Sequence, residues 1–344
     1  MQNSDIEIRS LASVPFDQVA AAFLAAFADY ELTLDKDTLA AMLKRRGANL
    51  ALSFAAWAQG RIVSFIINGI GRYNGRATAY DTGTGTVKEF RGLGLTDRIF
   101  NYSVDYLVKA GVEAYLLEVL THNLPAVKIY TRQGFGIVRE LDCYTADNGL
   151  IDGILQKKAN KTVKIGKVSV EAIERHAAFM DFRPSWQNSL DSIKRNPEAF
   201  VCLMAYDGTE PVGWGVSETA YGDISLMAVD GRHRRRGIGA RLLLELVRAN
   251  RIERAKALNV DDGCAAMKAF LTQSGFALSC RQYEMCRSLG GLNCHKLQNG
   301  FCTCFREVCG WPNGRDFCVV CNDLLLRSIF TNFVTLCAWL LAGH

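Results

Sequence analysis

The chain has 344 residues, 49% hydrophobic and 22% charged, with a formal net charge of +5 from 40 basic and 35 acidic side chains. At roughly 150 residues per domain this length suggests about two domains. The composition excludes an intrinsically disordered chain, a collagen and a multi-span membrane protein. The charge is too mild to argue for a nucleic-acid partner, and none is expected.

The opening residues have no basic stretch leading into an apolar run, so no secretory signal is expected there. Five cysteines (143, 202, 264, 280, 286) are scattered before residue 290, and seven crowd beyond it. Sparse cysteines in the main body fit a reducing, cytoplasmic compartment.

Apolar periodicity predicts a strand at 6–11, an amphipathic helix at 16–27 and two strands at 50–59 and 61–70. A strand at 78–90 then runs into a glycine turn at 91–96 and a helix at 97–111. Next come an apolar strand at 114–120, a helix at 125–133, Gly134-Phe135 and an alternating strand at 136–144. The order then recurs. A strand at 162–169 and a helix at 172–180 precede two strands at 199–206 and 211–219, around the hairpin signal Asp207-Gly208. A strand at 223–233, a glycine turn at 234–239, a helix at 240–250, a strand at 255–260, a helix at 264–273, Gly275-Phe276 and a strand at 277–285 complete the second copy. Arg91 and Arg234 are 143 residues apart, and Gly134 and Gly275 are 141 apart. The pattern predicts an α/β chain of two tandem domains with mixed, mostly antiparallel sheets. Domains are expected at 1–152 and 153–290, followed by a cysteine-rich tail at 291–344. The join is expected at 147–153, where polar and glycine-rich composition breaks the periodicity.

Each glycine turn sits between an apolar strand and a helix. Glycine lets the backbone approach a ligand closely. The first amides of a helix are unpaired and favour an anion. A phosphate or pyrophosphate is the expected ligand. Neither turn ends in the Gly-Lys-Ser/Thr of a P-loop, and both lie mid-domain, unlike a dinucleotide fingerprint.

The turns Arg91-Gly92-Leu93-Gly94-Leu95-Thr96 and Arg234-Arg235-Arg236-Gly237-Ile238-Gly239 resemble the acyl-CoA loop of the Gcn5-related N-acetyltransferase superfamily, Arg-x-x-Gly-x-Gly/Ala. The resemblance spans about 290 residues as two copies. It implies that these residues hold the pyrophosphate of acetyl-CoA, the cosubstrate. It also implies that the preceding strands, at Thr86, Val87 and Lys88 and at Met227 and Val229, pair with the pantetheine arm. Thr96 departs from the small residue usual at the last position.

Acyl transfer to an amine has two proton tasks. The ammonium must lose a proton, which suits a carboxylate, and the leaving thiolate benefits from one, which a tyrosine hydroxyl can supply. Glu118, Asn123, Ala126, Tyr130, Gly134 and Phe135 resemble the Glu-Val-x3-Asn-x2-Ala-x3-Tyr-x3-Gly-Phe run of acetyltransferases that modify protein N-termini and their small-molecule relatives. The resemblance implies Glu118 as base, Tyr130 as acid and Asn123 as a pantetheine contact. Aligned backward from Gly275-Phe276, the second copy has Asn259, Cys264 and Leu271 at these places, so the first copy is expected to catalyse and the second to be degenerate. His122 reads as a loop residue and Cys264 as an ordinary helical cysteine. The reading in another class is a non-catalytic acyl-CoA-binding or interaction module.

The acceptor, a small-molecule or peptide amine, is expected opposite the CoA. Tyr30, Glu31, Asp35, Tyr73, Asp81 and Asp142 are candidate linings, with solvated loop residues as the plainer reading. The polar stretch 183–188, with Trp186, suggests a lid or a domain contact. In the tail, Cys294, His295, Cys302, Cys304, Cys309, Cys318 and Cys321 could ligate zinc, but only one Cys-x-x-Cys is present. Residues 324–342 are apolar, yet Arg327 and Asn332 weaken a membrane span. An extension without a share in the chemistry is the favoured reading, and no metal is assigned.

Overall fold

The computed structural model describes residues 6–28 and 35–289. The tail's candidate zinc ligands and its apolar run lie outside the described residues, as do Tyr30 and Glu31.

The first half runs β1 (Glu7–Ser10), α1 (Phe16–Ala26), α2 (Lys36–Arg46), β2 (Phe54–Ala58), β3 (Arg61–Tyr73), β4 (Arg76–Thr86), α3 (Leu95–Lys109), β5 (Ala114–Leu120), α4 (Leu124–Arg132) and β6 (Gly136–Asp147). Helix α5 (Asn148–Leu155) leads into β7 (Lys164–Lys167), α6 (Val170–Glu174), α7 (Leu190–Lys194), β8 (Val201–Asp207), β9 (Glu210–Glu218), β10 (Asp223–Val229), α8 (Ile238–Arg248), β11 (Arg254–Asp261), α9 (Ala265–Gln273) and β12 (Ala277–Ser288). The stretch expected as a break at 147–153 is therefore mostly helix. Asp147 caps α5 by accepting from the Leu150 amide at 3.0 Å, and Ile151 and Leu155 are buried. A capped amphipathic turn outweighs two glycines there.

Local chemistry sets the elements. Asp35 caps α2, and Gly47 ends it in the left-handed region at φ 75°. Gln59-Gly60 and Asn74-Gly75 turn the β2–β3 and β3–β4 hairpins with positive φ at both residues, the geometry that matches strand twist.

The twelve strands of the described residues join one sheet in the order β1-β2-β3-β4-β5-β12-β6-β11-β10-β9-β8-β7. The last strand of each half is exchanged. β12 pairs with β5 of the first half, β6 pairs with β11 of the second, and β6 and β12 pair with each other at the centre, all antiparallel. Each half packs helices on both faces. In the first, α3 and α4 cover a core of Phe54, Ile99, Phe100, Leu107, Tyr115 and Phe135. On the other face α1 and α2 cover Leu11, Phe23, Leu39, Phe65 and Ile67. The second half repeats this with α8 on one face and α6 and α7 on the other. Among the described residues no helix is long and apolar enough to cross a membrane.

Candidate active site

β4 and β5 run parallel and pair only from Thr78–Ala114 to Tyr80–Leu116, then part. A bulge sits where they separate. Ile67 faces Gly83 and Asn68 faces Asp81, so Thr82 is left over. Bulges re-aim the side chains beside them. The second half has the same device. β10 and β11 pair at one place, and Ser225 is the extra residue between the Val216–Leu226 and Ser217–Ile224 pairs.

Strand alternation turns Glu118 to one face of the sheet, and helix α4 carries Tyr130 on the other. Leu117 and Val119 enter the α3/α4 core, so Glu118 between them faces the α1/α2 side. There its Oε2 accepts from Gln187 Nε2 at 2.8 Å and from Asn259 Nδ2 at 2.7 Å. Its Oε1 is buried with no hydrogen bond of ordinary geometry. Burial raises the Glu118 pKa, and so does the charge of Glu284, which stands directly opposite on β12. Burial also keeps the neighbouring Tyr80 hydroxyl well above its usual range, helped by the Glu118 charge.

Tyr130 lies on the α3/α4 side, its ring edge-on to Phe135 at 5.8 Å. Its hydroxyl donates to Asp81 Oδ2 at 3.4 Å, and Thr84 donates to the same oxygen at 2.7 Å. Asp81 Oδ1 is buried without a partner. Burial pushes the Asp81 carboxyl up to about 6, against the hydrogen bonds from Thr84 and Tyr130 that pull it down. Burial, then Asp81, holds the Tyr130 hydroxyl well above its ordinary value. Asp81 is thus the member of this constellation that the sequence places only among groove linings.

The other predicted acceptor linings have structural partners. Asp35 is the α2 cap. Tyr73 donates to the Pro184 carbonyl at 2.6 Å and to Glu284 at 3.1 Å. Asp142 pairs with Arg281 at 3.0 Å and Lys268 at 3.2 Å. His122 is exposed. The 183–188 stretch is a contact between the halves. Trp186 is fully buried, its Nε1 donates to the Arg46 carbonyl at 3.0 Å, and its ring lies on Tyr80.

The two glycine turns share one backbone. Gly94 and Gly237 open α3 and α8 at φ 67° and 75°, and Gly92 and Arg235 are also left-handed, at 79° and 62°. Arg91 and Arg234 fold back identically. Arg91 Nε donates to the Thr86 carbonyl at 3.1 Å, and Arg234 Nε to the Val229 carbonyl at 3.0 Å. These arginines therefore brace each turn against its strand. Arg236 pairs with Asp207 at 2.8 Å. Leu95 and Ile238 are buried anchors, whereas Leu93 is exposed. Thr86 Oγ1 lies 2.8 Å from Ser64 and 3.5 Å from Thr96, and the Val87 amide is already bonded to Val63. Lys88 starts a short 3-10 turn, and Asn123 Oδ1 caps α4 by accepting from the Ala126 amide at 3.3 Å.

The turns differ in their surroundings. A Cβ on Gly92 or Gly94 would meet nothing within 4 Å, so the backbone there is open to a ligand. On Gly237 it would lie 2.4 Å from the Lys158 carbonyl oxygen, and Asn160 bonds the carbonyls of Gly237 and Arg236 at 3.0 and 2.8 Å. The second cleft holds Ile224, Asn259 and Leu271 where the first has Asp81, Glu118 and Tyr130, and Met227 lines it too. Gly239 packs on Phe270.

A duplicated sheet, parted beside a glycine turn at a helix start, with paired proton-carrying groups in one copy, defines a tandem acyltransferase-type fold. The chain matches the model of the acetyltransferase (GNAT) family twice, over residues 16–135 and 168–276, and it belongs to that family. The fold and family support N-acetyltransferase activity with an acyl-CoA donor in general. Its structure is similar to a tandem GNAT protein from the clavulanic acid biosynthesis pathway, at a TM-score of 0.63 and 14% identity, covering 83% of this chain and 99% of that one. It is also similar to a GCN5-related N-acetyltransferase from Sphaerobacter thermophilus, at 0.60 and 14%, covering 85% and 98%. A GCN5-related glucosamine N-acetyltransferase region of a fungal multi-domain β-N-acetylglucosaminidase aligns at 0.62 and 13%, over 81% of this chain and 38% of that one. No curated protein matches the chain in sequence.

Proposed function

We propose that the first half is an N-acetyltransferase that moves an acetyl group from acetyl-CoA to a primary amine of a small molecule or peptide. The observation that carries this reading is the division of proton-carrying groups across the parted strands. Glu118 faces the α1/α2 side, its Oε1 buried beside Tyr80 without a hydrogen bond of ordinary geometry, and Tyr130 faces the α3/α4 side against Asp81. Glu118, directly or through a water, takes a proton from the ammonium, leaving the amine free to attack the thioester carbon. Tyr130 supplies a proton to the departing sulfur, and Asp81 holds the tyrosine hydroxyl in place. Raised carboxyl pKa values suit proton transfer near neutral pH. The open turn at Gly92–Gly94, with Arg91 behind it, supports binding of the CoA pyrophosphate in this half.

The non-catalytic reading is favoured for the second half alone, because Ile224, Asn259 and Leu271 cannot exchange protons as Asp81, Glu118 and Tyr130 can. A cytoplasmic setting is in keeping with Cys143 and Cys280, which face each other on neighbouring strands without a disulfide.

The test is release of CoA thiol from acetyl-CoA over a panel of amines. The wild type should release thiol above background with at least one amine, and Glu118→Gln and Tyr130→Phe should each lower that rate about 100-fold or more. No release from the wild type with any amine would remove the enzyme reading.

A further inference from the structure

We infer that Asn259 and Gln187, both from the second half, are positioning residues for the Glu118 carboxylate, so that the second half completes the site of the first. The inference rests on the reading of Glu118 as the base.

Three observations carry it. First, Asn259 occupies in the second half the place that Glu118 holds in the first. β11 is bulged there. Leu258 and Asn259 together face Cys143, between the Ala257–Tyr144 and Val260–Asp142 pairs. Glu118 on β5 pairs regularly with β12. The bulge puts Asn259 at φ 61°, a left-handed conformation that non-glycine residues rarely hold and that asparagine tolerates best. It sends the amide across to Glu118 Oε2.

Second, the orientation of both amides is fixed by their other partners. Arg46, which can only donate, bonds Gln187 Oε1 at 2.8 Å and leaves the nitrogen for Glu118. Gln282 bonds Asn259 Oδ1 at 3.1 Å, and the Asn259 nitrogen donates to Ser185 Oγ at 3.0 Å as well as to Glu118. Third, Asn259 and Gln187 are themselves buried. A strained, buried and fully partnered amide on one carboxylate oxygen fixes the plane of the carboxylate, which is what holding its other oxygen in one direction requires.

Hydrogen bonds to the charged form favour it. Removing either amide should therefore raise the pH at which Glu118 titrates. The experiment follows the side-chain carboxyl of Glu118 by NMR in protein labelled with carbon-13 glutamate, the signal being assigned by its loss in Glu118→Gln. Asn259→Gly keeps the backbone conformation and removes the amide; Gln187→Met keeps the volume. Each should shift the midpoint upward by about one pH unit, with the remaining spectrum native. Asn259→Asp should shift it further by placing a like charge beside it. An unmoved midpoint in either folded variant would overturn the inference, and the second variant serves if the first does not fold. Thiol release distinguishes this from failure of the functional reading. If Glu118→Gln keeps the wild-type rate, the base assignment fails whatever the NMR shows. If Glu118→Gln loses activity and the midpoints stay put, only the positioning role fails.

Discussion

Trp186 lies flat on Tyr80, their ring centroids 5.3 Å apart and their planes 6° from parallel. The first residue belongs to the second half and the second to the strand that opens the first cleft. Leu116 joins them in one apolar cluster. A loop that could have served as a lid is therefore a fixed wall, shared by both halves. With the exchanged strands β6 and β12, it makes the halves one folding unit.

Trp186→Ala should cost about 3–5 kcal/mol, the range for emptying a large buried aromatic site. Because the strands are exchanged, unfolding in urea should remain a single transition by tryptophan fluorescence and by circular dichroism. Two separated transitions would show that the halves fold independently.

Arg139 on β6 donates to both oxygens of the fully buried Glu284 on β12, at 2.9 Å each, and to Asp261 at 2.9 Å. Arg139→Met leaves the buried carboxylate with only the more distant Arg183, at 3.7 Å, and should destabilise by about 3 kcal/mol. Arg139→Met with Glu284→Gln should recover most of that loss. Denaturant midpoints of the single and double variants check it.

Asp81 links pH to stability. Its folded pKa is about 6, raised by burial above the ordinary 3.8. Between those values the folded chain retains a proton that the unfolded chain has released. Stability from this group is thus full below pH ~4, falls as pH rises through about 6, and is level above. Asp81→Asn removes the dependence. Relative to the wild type it should gain on the order of 2–3 kcal/mol from pH 4 to pH 7. Denaturant titrations of both proteins across that range measure the difference, and a constant offset would contradict it.

The glycine turns predict unequal tolerance. Gly94→Val forces a left-handed valine where the backbone faces open space. It should abolish acetyl-CoA binding by calorimetry with a stability loss of about 1–2 kcal/mol. Gly237→Val meets the Lys158 carbonyl, so it should destabilise more and leave binding nearly unchanged. The reverse result would assign the cosubstrate to the second half.

The duplication, the element order and the two turns were legible because they rest on local signals: apolar period, glycine punctuation and a fixed spacing. The strand exchange was not. β6 and β12 both alternate apolar and polar residues, and either pattern suits pairing with β5 or β11. Pairing choice is a tertiary property. Glu118 and Tyr130 were legible as types at a spacing. Their placement on opposite faces follows only once it is known which face of β5 the neighbouring core takes and which face α4 covers. Asp81 looked like one acid among several, because its burial depends on α4 closing over β4. Arg91 and Arg234 were legible as basic residues at a turn, but not in their bracing contacts. A basic residue before a glycine turn suggests a phosphate ligand, yet both guanidinium groups donate to the carbonyls of their own strands. Asn259 was legible as the counterpart of Glu118 and Gln187 as part of a lid or domain contact, but their bonds to Glu118 were not, since that partner lies on a strand of the other half.

The central claim is that the first half holds the cosubstrate and the second supports it. A crystal structure of the protein grown with CoA tests this most directly. The account predicts CoA between β4 and β5, its pyrophosphate on the 92–96 amides and its sulfur beside the Tyr130 hydroxyl. CoA found only between β10 and β11, with the first cleft empty, would contradict it.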